Sequence, residues 1–177
     1  MRNMLLAHTK KFAAGTLPRR SSSADHLVRL ADPAVSVMND FTREYPVTVD
    51  EERQIDVALA DMIRLGVRAL LVVREQKVLG LITSYDIEGE RPLQYLHTRR
   101  KDIQVGQIMT PWADLQTLNW WVIKDACVGD VLEVFRETDV MHLLVVEAAI
   151  DAVPCVRGLF SRTRIERQLG PIPAMSA

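Results

Sequence analysis

The sequence predicts an α/β (α+β) fold built from one β-α-β-β-α unit used twice, the two copies packed together as pseudo-symmetric halves. Three observations predict it. The stretch Val78-Leu79-Gly80-Leu81-Ile82-Thr83-Ser84-Tyr85-Asp86 runs apolar, glycine, apolar, then a hydroxyl with a carboxylate three positions on; this reads as a buried strand entering a helix. Val156-Arg157-Gly158-Leu159-Phe160-Ser161-Arg162-Thr163-Arg164 repeats the phrase, with Gly80 mapping to Gly158, Thr83 to Ser161 and Asp86 to Arg164. An apolar helical stripe and an apolar strand precede each copy in the same order, and self-similarity of this kind sets architecture before any single residue is interpreted.

Composition bounds the rest. A chain of 177 residues, 48% hydrophobic and 25% charged, has the make-up of a soluble globular protein with room for a core. The formal net charge is −1, so no overall positive field advertises nucleic acid or an anionic membrane as partner. The longest wholly apolar run, Ala69-Leu70-Leu71-Val72-Val73, falls far short of the ~20 residues that span a bilayer. A soluble, cytoplasmic protein is expected. Cys127 and Cys155 form no C-x-x-C, and His8, His26, His97 and His142 are scattered, which gives zinc or thiol-redox chemistry little support. Cys127 falls in a helical pattern and is read as a small core residue.

Residues 1–32 are expected to form an N-terminal arm. They carry Lys10, Lys11, Arg19 and Arg20 and no acid before Asp25, a composition shared with organellar presequences, while Met4-Leu5-Leu6 is too short for a secretory core. A packing arm is the preferred reading. The first repeat spans 33–90, a linker 91–104, the second repeat 105–170 and a tail 171–177. Val35-Ser36-Val37-Met38 answers Val105-Gly106-Gln107-Ile108-Met109, each leading into an extended segment: Tyr45-Pro46-Val47-Thr48-Val49 in one half and 115–121 in the other.

A helix follows in each. Asp50 is placed at the first N-cap, Ile55, Leu59 and Met62 form the stripe, and Gly66 sits where a left-handed cap belongs. Asp125, then Val128, Leu132 and Phe135, then Asp139 are their counterparts. Ala69-Leu70-Leu71-Val72-Val73 should pair with the strand containing Gly80 across the turn Arg74-Glu75-Gln76-Lys77, and Leu143-Leu144-Val145-Val146 with its counterpart across a longer loop, 147–155. Residues 91–101 can be helical with Pro92 in the first turn. Within them Arg99-Arg100-Lys101 reads as a solvated face, with a phosphate-facing edge as the alternative. The last helix should run over 162–169, ending before Gly170-Pro171.

Two readings of Thr83 and Asp86 stand side by side. Ser/Thr-x-x-Asp/Glu is a capping box, which satisfies orphan amides with no ligand; the same junction, with its unpaired N–H groups, can also hold an anion. Trp112, Trp120 and Trp121 are read as core or interface before base-stacking surface. No G-x-S-x-G, Walker loop, G-x-G-x-x-G or H-E-x-x-H occurs, and the two repeats consume nearly the whole length, so no enzyme is expected.

A tandem unit of this length with Gly80-Leu81-Ile82-Thr83-Ser84-Tyr85-Asp86, Gly66-Val67-Arg68-Ala69-Leu70-Leu71-Val72-Val73, Val105 through Thr110 and Gly158-Leu159-Phe160-Ser161 resembles the paired cystathionine β-synthase (CBS) domains of a Bateman module. The resemblance covers about 33–170. It implies a stand-alone, non-catalytic sensor that binds an adenine nucleotide (AMP, ADP or ATP) or an S-adenosylmethionine-like ligand between the repeats, and a homodimer. An interaction module without ligand, or a regulatory subunit of another enzyme or transporter, is the competing reading. Carried over by resemblance, Asp86 would accept from the ribose hydroxyls, Thr83 would bind phosphate or ribose, and Val47, Tyr45 and Pro46 would contact the base. Gly80 would allow a close approach. Ser161 corresponds to Thr83, and Arg68 and His142 are phosphate candidates. Arg164 stands where the second acid would be; it cannot accept from a ribose, but with Arg162 it can meet phosphate.

Overall fold

The computed structural model describes residues 27–95, 97–148 and 153–169. The basic stretch with Lys10, Lys11, Arg19 and Arg20, the histidines His8 and His26, and the tail 171–177 lie outside them. In chain order the elements are β1 (Asn39–Asp40), β2 (Thr48–Asp50), α1 (Ile55–Leu65), β3 (Ala69–Arg74), β4 (Lys77–Thr83) and α2 (Ser84–Glu88). The second half contributes α3 (Val105–Ile108), β5 (Thr110–Pro111), β6 (Thr117–Asn119), α4 (Trp120–Ile123), α5 (Val128–Thr138), β7 (His142–Glu147), β8 (Cys155–Ser161) and α6 (Arg162–Gln168). The β-α-β-β-α unit occurs twice, as β2-α1-β3-β4-α2 and β6-α5-β7-β8-α6.

Each unit builds one four-stranded sheet, in the orders β2-β3-β4-β5 and β1-β8-β7-β6. In both, a parallel pair connected through a helix is followed by an antiparallel hairpin, with Leu71 opposite Leu81 and Leu144 opposite Leu159. The first hairpin turns at Glu75 and Gln76, both at positive φ (48° and 65°), the backbone twist that two-residue hairpin turns need.

Side-chain alternation explains why the central strands are continuous apolar runs. On one face Leu70, Val72 and Ile82 pack with Ile55, Ala58 and Met62 of α1; Leu143, Val145 and Phe160 do the same with Val128, Leu132 and Phe135 of α5. On the other face Leu71 and Leu81 meet Leu144 of the opposite half. With a period of two and both faces covered, every position is apolar.

The sequence repeats are contiguous, but the packed halves exchange their opening segments. Ala34, Val37 and Met38 are buried in the core of the second half, and β1 pairs with β8, Asn39 opposite Leu159 and Asp40 opposite Gly158. Reciprocally, Ile103, Val105 and Ile108 fill the core of the first half, while β5 pairs with β4. The chain before the exchanged segment also lies on the second half: Val28 N–H donates to the Gln168 carbonyl at 2.9 Å, and Gly129 N–H to the Leu30 carbonyl at 2.9 Å.

The left-handed caps are as expected, with Gly66 at φ 68° and Asp139 at φ 50°. Several local expectations are corrected. Asp50 ends β2 and its Oδ1 accepts from Glu52 N–H at 2.8 Å, so it shapes the turn before the helix; α1 starts after Gln54. Asp125 is likewise displaced as cap by Cys127, whose N–H donates to Asp130 Oδ2 at 2.8 Å, so Cys127 opens the helix at intermediate exposure. The extended segment over 115–121 is a strand only at Thr117–Asn119; Asn119 Oδ1 then accepts from Trp121 N–H and starts α4. Residues 91–101 form two separate 3-10 turns, Arg91–Gln94 and Arg100–Asp102, because Arg100 is drawn onto Asp56 and the Ile87 carbonyl. Among the described residues no helix is long and apolar enough to cross a membrane.

Gly80 marks the closest approach in the exchange. A Cβ there would lie 2.3 Å from the Thr110 carbonyl oxygen, a backbone atom that cannot swing aside. Gly80→Ala is expected to cost about 1–3 kcal/mol, read as a lower urea midpoint at unchanged slope; an unchanged midpoint would mean that β5 does not sit on β4.

Candidate functional site

Where the two sheets come together, a cleft of about 960 Å3 opens between the halves. Its floor is apolar: Leu71 and Leu81 from one hairpin, Leu159 from the other, and Phe41. The 45–47 segment, which leads into β2, lines one side, and Arg68 and Ala69 at the head of β3 continue it. The second half supplies His142 and Ser161, paired across β7 and β8, and Arg164 and Arg167 on α6. Both strand-to-helix junctions are tied down in the same way. Ser84 N–H donates to the Arg68 carbonyl and Arg162 N–H to the Met141 carbonyl, each at 3.0 Å.

Of the site residues read from sequence, Tyr45, Pro46, Val47, Arg68, His142, Ser161 and Arg164 line this cleft. Tyr45 stands on the rim, 98% exposed. Thr83, Asp86 and Gly80 are not among its lining residues. Gly80 faces the backbone of Thr110. Thr83 and Asp86 close a reciprocal cap on α2: Thr83 N–H and Oγ1–H both donate to Asp86 Oδ2, at 2.8 and 2.7 Å, and Asp86 N–H returns to Thr83 Oγ1 at 3.2 Å. The other carboxylate oxygen, Oδ1, lies 3.0 Å from Arg91 Nη1. That same nitrogen donates to the Ile108 carbonyl at 2.7 Å and to Thr110 Oγ1 at 3.1 Å. Arg91 therefore ties the end of the first repeat to the opening of the second. Sequence reasoning missed its role, since an arginine in a basic, Pro-containing linker carries no local sign of its distant partners.

The charges around the cleft are uneven. Its lining includes Arg68, Arg164, Arg167 and His142 against one acid, Glu44 on the exposed rim. Neither the Arg68 nor the Arg164 guanidinium makes a hydrogen bond or ion pair among the described residues, whereas Arg167 is engaged. Burial, the larger effect, pushes the His142 imidazole below its ordinary value, and the nearby Asp86 carboxylate opposes it. Asn39 Oδ1 and Gln168 Oε1, both on the lining, are buried acceptors without a donor. An apolar floor, unpaired guanidinium groups and spare acceptors suit a flat, N–H-bearing ring attached to an anion.

A smaller cavity of about 520 Å3 adjoins, sharing Ser36, Asn39, Glu44 and Arg164 with the cleft. Its main cation is already used. Arg157 stacks over Trp120 at 4.4 Å from the ring centroid and pairs with Asp40 at 3.2 Å and Glu147 at 2.9 Å. Against the desolvation that would raise it, hydrogen bonds from Thr42 and the Arg157 charge hold the Asp40 carboxyl below the usual carboxylate value. Trp112 and Trp121 line neither cavity; the Trp121 indole N–H donates to the Ala148 carbonyl at 3.1 Å. Within the basic run, Arg99 pairs with Asp102 and Arg100 with Asp56. Among the described residues no group of three or more His, Cys, Asp or Glu side chains could hold a metal ion.

Residues 37–90 match the family model of the CBS domain. Among solved structures, the chain is similar to an uncharacterized conserved protein from Pyrococcus horikoshii, with 22% identity over 79% of this chain and 93% of that one and a TM-score of 0.59. It is also similar to the CBS-pair protein CBSX2 from Arabidopsis thaliana, with 22% identity over 77% and 93% of the chains and a TM-score of 0.54; CBSX2 has been solved in complex with AMP. A hemolysin-like protein containing a CBS domain from Oenococcus oeni gives 20% identity over 79% and 91%, with a TM-score of 0.55. No curated protein sequence matches. The fold is that of a CBS pair, two pseudo-symmetric repeats in one Bateman module.

Two outcomes follow from this geometry. Because the native His142 value lies below 6.5, the unfolded chain binds the proton more readily. His142 should therefore reduce stability as pH falls through about 6.5, with the loss levelling off below the native value. Urea midpoints taken between about pH 7.5 and 5.5 should fall less steeply in His142→Asn than in the unmodified chain; parallel slopes would contradict it. Separately, Thr83→Val should cost about 0.5–2 kcal/mol through loss of the cap, measured by the same unfolding experiment, and no loss would mean that the cap does not form in solution.

Proposed function

We propose that this protein is a non-catalytic regulatory module that binds an adenine nucleotide in the cleft between its two CBS repeats. One observation carries the reading: a large cleft at the seam of the repeats, floored by leucines from both hairpins and edged by Arg68 and Arg164, whose guanidinium groups have no carboxylate partner among the described residues. The adenine ring would lie on the apolar floor beside Pro46 and Val47, with its amino group toward the spare acceptors Asn39 Oδ1 and Gln168 Oε1. Arg68, His142, Ser161 and Arg164 would meet the polar end. Thr83, Asp86 and Gly80 would act from behind, holding the junction and the exchanged strand in place. The fold likeness to CBSX2, solved in complex with AMP, is consistent with this class of ligand.

Binding would work by favouring one of two arrangements of the repeats or of their neighbours. The strands of both halves meet at the cleft, so a ligand there touches each. The chain would act in the cytoplasm as a homodimer. Exposed apolar residues on the outward helices of the first repeat, Ile63 at 74% and Tyr85 at 69%, are candidates for the two-fold contact.

A second reading has its own observation. Both oxygens of Asp86 are already occupied by Thr83 and Arg91, and Arg164 stands at the equivalent place in the other copy, as expected if the pair were an interaction module without ligand.

Thermal unfolding separates the two. At 100 times its Kd, a bound nucleotide should stabilise the chain by about 2.7 kcal/mol, a rise in Tm of about 5–10 °C. A rise with AMP, ADP or ATP supports the sensor. A flat response to all three at millimolar concentration supports the interaction module instead.

A further inference from the structure

We infer that the cleft holds its ligand by phosphate rather than by sugar, with Arg68 and Arg164 as the specificity-determining contacts. The site would then accept phosphorylated nucleotides and reject both the bare nucleoside and a nucleoside bearing a positive sulfonium. Resting on the nucleotide reading of the cleft, this names the part of the ligand that decides binding.

Charge accounting leads to it. Most arginines elsewhere in the described chain are matched to carboxylates, among them Arg91 to Asp86, Arg100 to Asp56, Arg157 to Asp40 and Glu147, and Arg162 to Asp139 and Glu166; Arg29 and Arg136, away from the cleft, are not. Arg68 and Arg164 are not, and both line the same cleft. They come from different halves, one before β3 and the other on α6, so an anion between them would be gripped from both sides. A guanidinium offers a rigid fork of donors matched to phosphate oxygens. Ser161 and His142, opposite each other on β8 and β7, add a hydroxyl and an imidazole that can donate to the same group. His142 is a half-buried side chain, and a phosphate beside it would favour its protonated form.

The acceptors that a ribose needs are missing from the same place. Vicinal hydroxyls are best held by a carboxylate, whose two oxygens accept both protons. The cleft lining contains one carboxylate, Glu44, on the exposed rim rather than at the junction. Asp86 is held by Thr83 at Oδ2 and by Arg91 at Oδ1, and it is not among the residues lining the cleft. At the junction that does line the cleft, the corresponding residue is Arg164. It repels a sulfonium and attracts a phosphate.

The experiment is calorimetric titration of the full chain with AMP, ATP, adenosine, S-adenosylmethionine and inorganic tripolyphosphate, repeated for Arg68→Gln and Arg164→Gln. A charge-assisted hydrogen bond is worth about tenfold or more in affinity. AMP and ATP should therefore bind at least about tenfold tighter than adenosine or S-adenosylmethionine, and each substitution should weaken AMP by a similar factor while leaving any residual adenosine binding unchanged. Adenosine binding as tightly as AMP, or both variants binding AMP like the unmodified chain, overturns the inference and leaves the nucleotide reading standing. Tripolyphosphate binding that both substitutions weaken, with no adenine nucleotide bound, supports the anion grip and overturns the nucleotide reading. Binding of none of the five overturns both. The ligand panel on the unmodified chain decides between these outcomes even if a variant fails to fold.

Discussion

Two short backbone pairings, Asn39–Asp40 on β8 and Thr110–Pro111 on β4, fix how the halves of this molecule face each other. Each adds a two-residue edge strand to the sheet of the opposite half. Each is anchored by buried residues just ahead of it, Ala34 and Val37 in one case and Val105 and Ile108 in the other. Neither sheet is complete without a segment from the other repeat. The glycines at the crossings follow from this. Gly80 lies against the Thr110 carbonyl and Gly158 against the Asn39 carbonyl, and a side chain at either would hold the strands apart.

Once the halves are clamped, the contact between them is decided by leucines. Leu71, Leu81 and Leu144 are buried at the seam, while the outer faces of the same strands bury against helices. The seam closes where apolar side chains meet and stays open at the strand-to-helix junctions, where polar ones begin. The cleft lies at that boundary. Function on this reading is a consequence of duplication: both halves supply leucines to the floor and each an arginine to the edge, Arg68 from the first and Arg164 from the second.

Much of this was legible in the sequence. The repeat, the order of its elements and the left-handed caps at Gly66 and Asp139 all rest on short-range patterns, which a linear reading captures. What it could not capture is partnering at a distance. Thr83 and Asp86 carry the same spacing whether they cap a helix or grip a sugar, and only the position of Arg91 shows that the carboxylate is already held. The resemblance groups Asp86 with Val47, whereas Val47 lines the cleft and Asp86 is not among its lining residues. In the folded chain the 45–47 segment shares a cleft with Ser161 and Arg164 of the second repeat. The cap misplacements have a local cause: Asp50 and Asp125 are good N-cap residue types, but each helix starts later, where Ile55 and Val128 first enter the core.

One cleft, formed by both repeats and edged by Arg68 and by the arginines of α6, is where ligand binding is expected. A crystal structure of the full chain grown with AMP tests it most directly. The expected result is one nucleotide at the seam, its ring over the leucine floor and its phosphate between the Arg68 and Arg164 guanidinium groups, with the Asp86–Arg91 pair intact. A nucleotide bound instead by Asp86, with Arg91 swung away and the cleft empty, would contradict it.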